Sequence, residues 1–222
     1  RRAFPMHEFL ECRLAGIDIC ELPTFLERET GKVRLDVLNP SWIIFGEGFR
    51  ASPLQRVLER GFDVLASLCL LVLASPLMLC AAVAIRIEDG WRAPVLYRQR
   101  RVGRFGETFD VLKFRSMSVD AEKGGAVWAA KNDPRVTRVG AVMRKTRIDE
   151  LPQLVNVLRG DMSFVGPRPE RPEFVAQLEQ TIPYYRERHT VKPGITGWAQ
   201  LCYPYGSTEK DALEKLQYDL YY

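Results

Sequence analysis

Residues 64–85 contain no charged side chain, and this apolar run is about the 20 residues that a transmembrane helix needs. Ser75-Pro76 lies at its centre. Proline lacks a backbone donor and clashes with the carbonyl four residues back, so a break or bend is expected there, with Ser75 as the local group able to satisfy the freed carbonyl. Arg50, Arg56 and Arg60 precede the run, and Arg86, Arg92, Arg98, Arg100, Arg101 and Arg104 follow it. By the positive-inside rule both ends belong on the cytoplasmic side. A helix over about 52–87 that enters the membrane, turns at Ser75-Pro76 and leaves on the same side meets both observations. A Pro-kinked span and a buried core helix are the alternatives.

On either side of the run the pattern changes. "AGIDICELPTFLERETGKVRL" predicts a short strand and then a helix opening near Pro23 and Thr24 and closing at Gly31, the tail of an α/β unit. Ser52 as N-cap and Pro53 at the first helical position launch the helix that leads into the apolar run. After it, "PVLYRQ" and "TFDVLKFRSM" have strand lengths, and the glycines of "RVGRFGE" between them suggest a hairpin. "VGAVMRK" predicts a helix. So does "DELPQLVNVLRG", whose Leu151, Leu154, Val155 and Leu158 fall at i, i+3, i+4 and i+7, with Gly160 placed to end it.

Composition narrows the chemistry. With 32 Lys and Arg against 28 Asp and Glu the net charge is +4, and the excess flanks the apolar run. That suits an anionic membrane face and phosphorylated ligands; no zinc spacing, aromatic RNA-binding pattern or basic helix supports nucleic acid. Five scattered cysteines suggest neither a disulfide framework nor a metal site, and two histidines exclude a histidine-rich metal centre. The chain opens "RRAFP" and ends "DLYY" inside a helical pattern, so it reads as a piece of a longer protein.

Pro152 is tolerated only in a helix's first turn, so Asp149 and Glu150 must stand at or just before the helix start. Acidic residues there also have a plain role as caps. Arg144, Lys145 and Arg147 precede the pair, however, and the Pro-stiffened loop "GDMSFVGPRPERP" follows the helix. Two carboxylates supply hard oxygen ligands for Mg²⁺, one of them free to act as a nucleophile, while neighbouring Arg and Lys hold phosphate oxygens. In "GPRP", Pro167 and Pro169 make a rigid turn presenting Arg168. "KFRSM" puts Lys113 and Arg115 on one face of a strand, and "VKPGITGWAQ" sets Thr196 between Gly194 and Gly197. Each of these alone also fits a structural loop or a solvated edge strand, and Trp198 fits an interfacial anchor.

Taken in order, the Ser-Pro in an apolar helix, "KFRSM", "RKTRIDELPQLVNVLRGDMSFVGPRP" and "KPGITGWAQ" resemble the bacterial sugar transferases, the monotopic phosphoglycosyl transferases. The resemblance covers roughly residues 50–222. "ERPEFV", "IPYYRERH" and "WAQLCYPYG" are similar to the exopolysaccharide-type polyprenyl glycosylphosphotransferase subgroup. It implies a mixed α/β class: a re-entrant helix-break-helix, a compact, mostly helical cytoplasmic catalytic domain with a short antiparallel sheet, and, over residues 1–49, the end of an upstream Rossmann-like domain. It further implies transfer of a sugar 1-phosphate from a UDP-sugar to undecaprenyl phosphate through a phospho-aspartyl intermediate at the cytoplasmic face of the bacterial inner membrane, the first membrane step of exopolysaccharide or other surface glycan assembly. Asp149 would be the nucleophile and Glu150 its neighbour at a Mg²⁺ site. Lys113, Arg115, Arg144 and Arg168 match basic positions around the phosphates, and Pro167, Pro169, Lys192 and Thr196 complete the expected substrate-binding set. Many members carry Ser or Thr where this chain has Arg147, and "WAQVNGR" where it has "WAQLCYPYG". A catalytically silent membrane scaffold is the rival reading, and a homodimer stays open beside a monomer.

Overall fold

The computed structural model describes residues 5–37, 52–121, 133–204, 206 and 208–222; residues 38–49 of the expected domain remnant, and Arg50, lie outside them. Two helices open it, α1 (Met6–Leu14) and α2 (Leu22–Thr30). α2 is the helix read from the sequence, with Pro23 in its first turn and Gly31 ending it in the left-handed conformation (φ 63°). The strand expected over "AGIDIC" does not form, and α1 occupies positions assigned no element. A strand needs a neighbour for its backbone groups, and local apolar pattern cannot supply one. The segment after α2 is held by the far end of the chain instead. The Val33 amide donates to the Gln217 carbonyl at 2.9 Å, Lys32 pairs with Glu214 at 2.9 Å, and Trp198 Nε1 donates to the Gly31 carbonyl at 2.7 Å.

α3 (Pro53–Asp89) is one helix of 37 residues, capped by the Ser52 hydroxyl, which accepts from the Gln55 amide. The break expected at Ser75-Pro76 is not a gap, because the chain stays helical through it. Pro76 cannot donate to the Val72 carbonyl four residues back, and Ser75 Oγ donates to that carbonyl in its place at 2.8 Å. Positions 60, 63, 67, 71, 74, 78, 81 and 85 all lose exposure, a spacing of three to four that marks one stripe along the helix. The other faces expose Leu54, Val57, Leu65, Val72, Leu73 and Val83, and only 11% of the most apolar 18-residue stretch is buried. A core helix of a soluble protein would be mostly covered, and α3 is not covered by the described residues.

β1 (Leu96–Val102) and β2 (Thr108–Phe114) form the predicted antiparallel hairpin, Leu96 facing Phe114 and Val102 facing Thr108. α4 (Arg138–Thr146) and α5 (Gln153–Arg159) follow, and Gly160 ends α5 at φ 94° as expected. A second sheet, not foreseen, pairs β3 (Ser163–Val165) in parallel with β4 (Gly194–Thr196). The remaining helices are α6 (Pro172–Thr181), α7 (Trp198–Cys202) and α8 (Glu209–Asp219). The body is therefore helix-rich around a short hairpin, with apolar clusters under α6 and α8, between α3 and α4, and between β2 and α5.

α3 touches this body at both ends through charged caps. Arg60 donates to the Val157 and Leu158 carbonyls at 2.6 Å each, on the negative end of α5. Glu88 accepts from the Arg138 and Val139 amides at 2.8 and 3.1 Å, on the positive end of α4. Asp63 accepts from Ser163 Oγ and the Phe164 amide, and Ala81 and Ile85 bury against Phe114 and Met143.

The free edge of β2 is met by a side chain. Asn156, fully buried, accepts from the Leu112 amide at 2.9 Å and donates to the Asp110 carbonyl at 2.8 Å, as a neighbouring strand would. Asn156→Ala leaves the Leu112 N–H buried without an acceptor, which costs about 1–3 kcal/mol. The expected outcome is a lower denaturation midpoint in detergent with an unchanged denaturant slope.

Candidate active site

Asp149 and Glu150 share one 3-10 turn, Ile148–Glu150, between α4 and α5. Pro152 comes just before α5, as the restriction on proline requires. The turn is directed inward by Arg147, which takes the left-handed conformation (φ 61°, ψ 14°) at the end of α4, unusual without glycine. Ile148 then packs with Met143, and Asp149 is left 8% exposed.

Glu150 collects the cations. Its Oε1 lies 3.1 Å from Lys113 Nζ on β2, 3.1 Å from Arg168 Nη2 and 3.9 Å from Arg147 Nη1. Burial alone would raise its pKa, but Lys113 and Arg168 outweigh that and hold it down to about 2. Asp149 moves the other way, raised by burial and by the neighbouring Glu150 charge. Lys113 is lowered, by burial and then by Arg168. Asp149 Oδ1 is buried with no hydrogen-bond partner, as is Gln153 Nε2 at the start of α5. One carboxylate is thus neutralised by its neighbours, while the other keeps an uncommitted oxygen.

Arg168 reaches Glu150 from a loop whose backbone is held residue by residue. The Pro167 carbonyl accepts from the Gly194 amide, that of Arg168 from Arg188 Nη2, that of Pro169 from Arg101 Nη1, each at 3.0 Å, and that of Glu170 from the Val102 amide at 2.9 Å. A Cβ at Gly166, Gly194 or Gly197 would run into the backbone of the opposing strand or loop. "GPRP" and "KPGITG" are therefore two halves of one close backbone crossing.

Of the residues singled out in the sequence, Lys113, Arg168, Asp149 and Glu150 come together, and Pro167 and Pro169 on either side of Arg168 are buried. Arg144, half-buried on the last turn of α4, lies close enough to draw the Asp149 pKa downward. Arg115 does not join them. β2 ends at Phe114, so strand alternation no longer applies, and Arg115 turns into the body to pair with Asp89 at 2.7 Å. Lys192 stands with Arg60 beside Gly160, at the opposite end of α5 from the carboxylates. Thr196 contributes its carbonyl, which accepts from the Gly166 amide at 2.9 Å. Ser75 and Pro76 lie on α3.

Arg101, Arg188 and Asn156 were not singled out, and each acts through contacts distant in sequence. Only Arg101 had a signal, since alternation puts it with Tyr97 and Gln99 on the less exposed face of β1. His189 stays neutral, because burial and the adjacent Arg188 push it down to about 4, and it packs edge-on to Tyr185.

Comparison with known proteins adds a second line. The family model described as "Bacterial sugar transferase" matches residues 54–222. A UDP-N-acetylgalactosamine-undecaprenyl-phosphate N-acetylgalactosaminephosphotransferase of Aeromonas hydrophila is 44% identical over 211 residues, which is 95% of this chain and 49% of that protein. A UDP-glucose:undecaprenyl-phosphate glucose-1-phosphate transferase of Escherichia coli (strain K12) is 45% identical over 75% of this chain and 35% of its own length. The "Exopolysaccharide production protein PSS" of Rhizobium leguminosarum bv. phaseoli is 42% identical over 75% of this chain and 85% of its own. The chain thus spans half or less of the first two relatives and most of the third.

The opposed shifts of the two carboxyls can be measured. Glu150→Gln removes a charge that raises Asp149 and releases Lys113, which favours the Asp149 anion. Carboxyl-carbon NMR without divalent cations should therefore show Asp149 titrating at a lower pH in the variant than in the wild type. An unchanged midpoint would mean that Asp149 does not feel its neighbour.

Proposed function

The chain belongs to the bacterial sugar transferase family, and from that membership we propose that it moves a sugar 1-phosphate from a UDP-sugar to undecaprenyl phosphate, giving undecaprenyl-diphosphate-sugar and UMP. The observation that carries this reading is the unequal pair: Glu150 neutralised by Lys113 and Arg168, and Asp149 beside it with a buried, unpartnered oxygen. The names of the relatives favour UDP-sugars and undecaprenyl phosphate as the two substrates.

Asp149 attacks the phosphorus that bears the sugar. The bond to the bridging oxygen breaks, UMP leaves with the electron pair, and the sugar phosphate stays on the Asp149 oxygen. The phosphate oxygen of the lipid then attacks the same phosphorus and returns Asp149 to its anion. Splitting the transfer in this way spares the two anionic substrates from meeting in a single step. Lys113 and Arg168 bear on the charge of the departing phosphate because each is a multiple donor able to bridge Glu150 and phosphate oxygens. Lys113, and after it Arg144 and Arg147, oppose the burial that raises the Asp149 pKa and so favour its anion.

Mg²⁺ belongs to this reading. Among the described residues no group of three or more His, Cys, Asp or Glu side chains comes together, and Asp149 and Glu150 are the carboxylates that would hold the cation. An oxygen-only pair with Asp149 Oδ1 unpartnered fits a hard cation that keeps waters and takes phosphate oxygens from the substrate. When bound, it would neutralise diphosphate charge.

The docking of α3 favours a re-entrant helix over a span. At 37 residues α3 is about 55 Å of helix, well beyond the ~30 Å of a hydrocarbon core. Yet Arg60 and Asp63 near one end, and Glu88 and Asp89 at the other, all bond to the same folded body, on which Ile85 also packs. A crossing helix would put those ends on opposite sides of the bilayer. We place the body on the cytoplasmic face of the bacterial inner membrane, where the flanking arginines belong.

Two outcomes test this. Incubation with UDP-sugar and Mg²⁺ but no lipid should leave a sugar-phosphate adduct on Asp149, detected by mass spectrometry, and Asp149→Asn should abolish both adduct and UMP release with the fold intact. No adduct under single-turnover conditions would leave direct transfer as the better account. In a cysteine-free background, single cysteines near Arg60 and Arg92 should be labelled from the same side of sealed vesicles. Labelling from opposite sides would establish a span.

A further inference from the structure

We propose that Arg188 is a positioning residue for Arg168, setting the backbone from which that side chain reaches Glu150. The inference rests on the reading of the site as a sugar-phosphate transferase. Arg188 is 6% exposed and directs its guanidinium three ways. Nη1 donates to the Tyr185 hydroxyl at 2.7 Å, and Nη2 pairs with Asp219 on α8 at 2.7 Å and donates to the Arg168 carbonyl at 3.0 Å. Its plane also lies over the Tyr185 ring, 5.1 Å from the centroid. Asp219 supplies the charge that permits a guanidinium this deep, and Tyr185, in the apolar cluster with Leu216 and Val175, fixes its orientation.

The geometry suits arginine alone. A planar fork donates along several fixed directions at once, whereas lysine is a point charge on a flexible stem. Lysine at 188 ends one bond short of Nη2, the nitrogen that serves both acceptors, so it can keep the pairing with Asp219 while losing its hold on the Arg168 carbonyl. Of the four held carbonyls from 167 to 170, that of Arg168 belongs to the residue that reaches Glu150. Releasing it lets the Arg168 Cα shift, and displacements near 1 Å at a site can cost about 100-fold in rate.

The test combines Arg188→Lys and Asp219→Asn with Arg168→Lys in the full chain in detergent or nanodiscs. Hydrogen exchange of the peptide covering residues 166–171 should rise in Arg188→Lys while α3 and the thermal midpoint stay near wild type. UMP release should fall about 10- to 100-fold in Arg188→Lys, and less in Asp219→Asn. In the Arg168→Lys background neither change should cost more than about twofold, because the side chain being positioned is already altered. Unchanged exchange over 166–171 would overturn the proposal. So would equal losses in both backgrounds, since Arg188 would then act elsewhere. Should the wild type release no UMP from any UDP-sugar, the functional reading fails by itself, and the exchange result still decides whether Arg188 holds the loop.

Discussion

A buried carboxylate stays ionised only where cations or hydrogen-bond donors offset its desolvation, and the folded body is built around that constraint at Glu150. No single element could supply the surroundings. Lys113 comes from the hairpin, Arg168 from the loop before α6, and Arg147 from the turn between α4 and α5. Asn156 joins β2 to α5 and so sets the spacing between Lys113 and the carboxylates. The parallel pairing of β3 with β4 sets the loop, and α8 reaches it through Asp219 and Arg188. Asp149 benefits indirectly, because the cations are committed to its neighbour and its own oxygen stays uncommitted.

The same economy of charge joins the long helix to the body. Arg60 and Glu88 are the most hydrophilic kinds of side chain on an apolar helix, and each ends on the terminus of opposite partial charge. Their placement answers a problem peculiar to α3, which exposes apolar groups on most of its circumference and cannot use hydrophobic contact alone to choose one face. Polar groups on one stripe make that choice. An outward apolar surface of this extent is stable against lipid and costly against water.

Local chemistry was legible and distant partnership was not. Ser52 with Pro53, Gly31 and Gly160 marked their helix ends because capping depends on neighbours within four residues. Pro152 fixed where Asp149 and Glu150 had to stand for the same reason. The hairpin was visible through its glycines, and Ser75 as the rescuer of a proline-orphaned carbonyl through simple adjacency. What could not be read locally has a common cause. The strand expected over "AGIDIC" lacked a partner, Arg115 lies one residue past the end of its strand, and the chain carries Lys192 to the other end of α5 from the carboxylates. Arg188 gave no pattern for its role and Arg101 only the alternation of its strand, since what they hold lies 20 and 68 residues away along the chain.

The held backbone of residues 167–170 has a consequence for when disorder is lost. Fixing a residue's backbone costs roughly 1–2 kcal/mol in conformational entropy. With each carbonyl already satisfied by Gly194, Arg188, Arg101 or Val102, that loss for the whole loop is incurred on folding. A ligand arriving at Arg168 then has only a side chain left to order, and most of its contact free energy remains to appear as affinity or as rate.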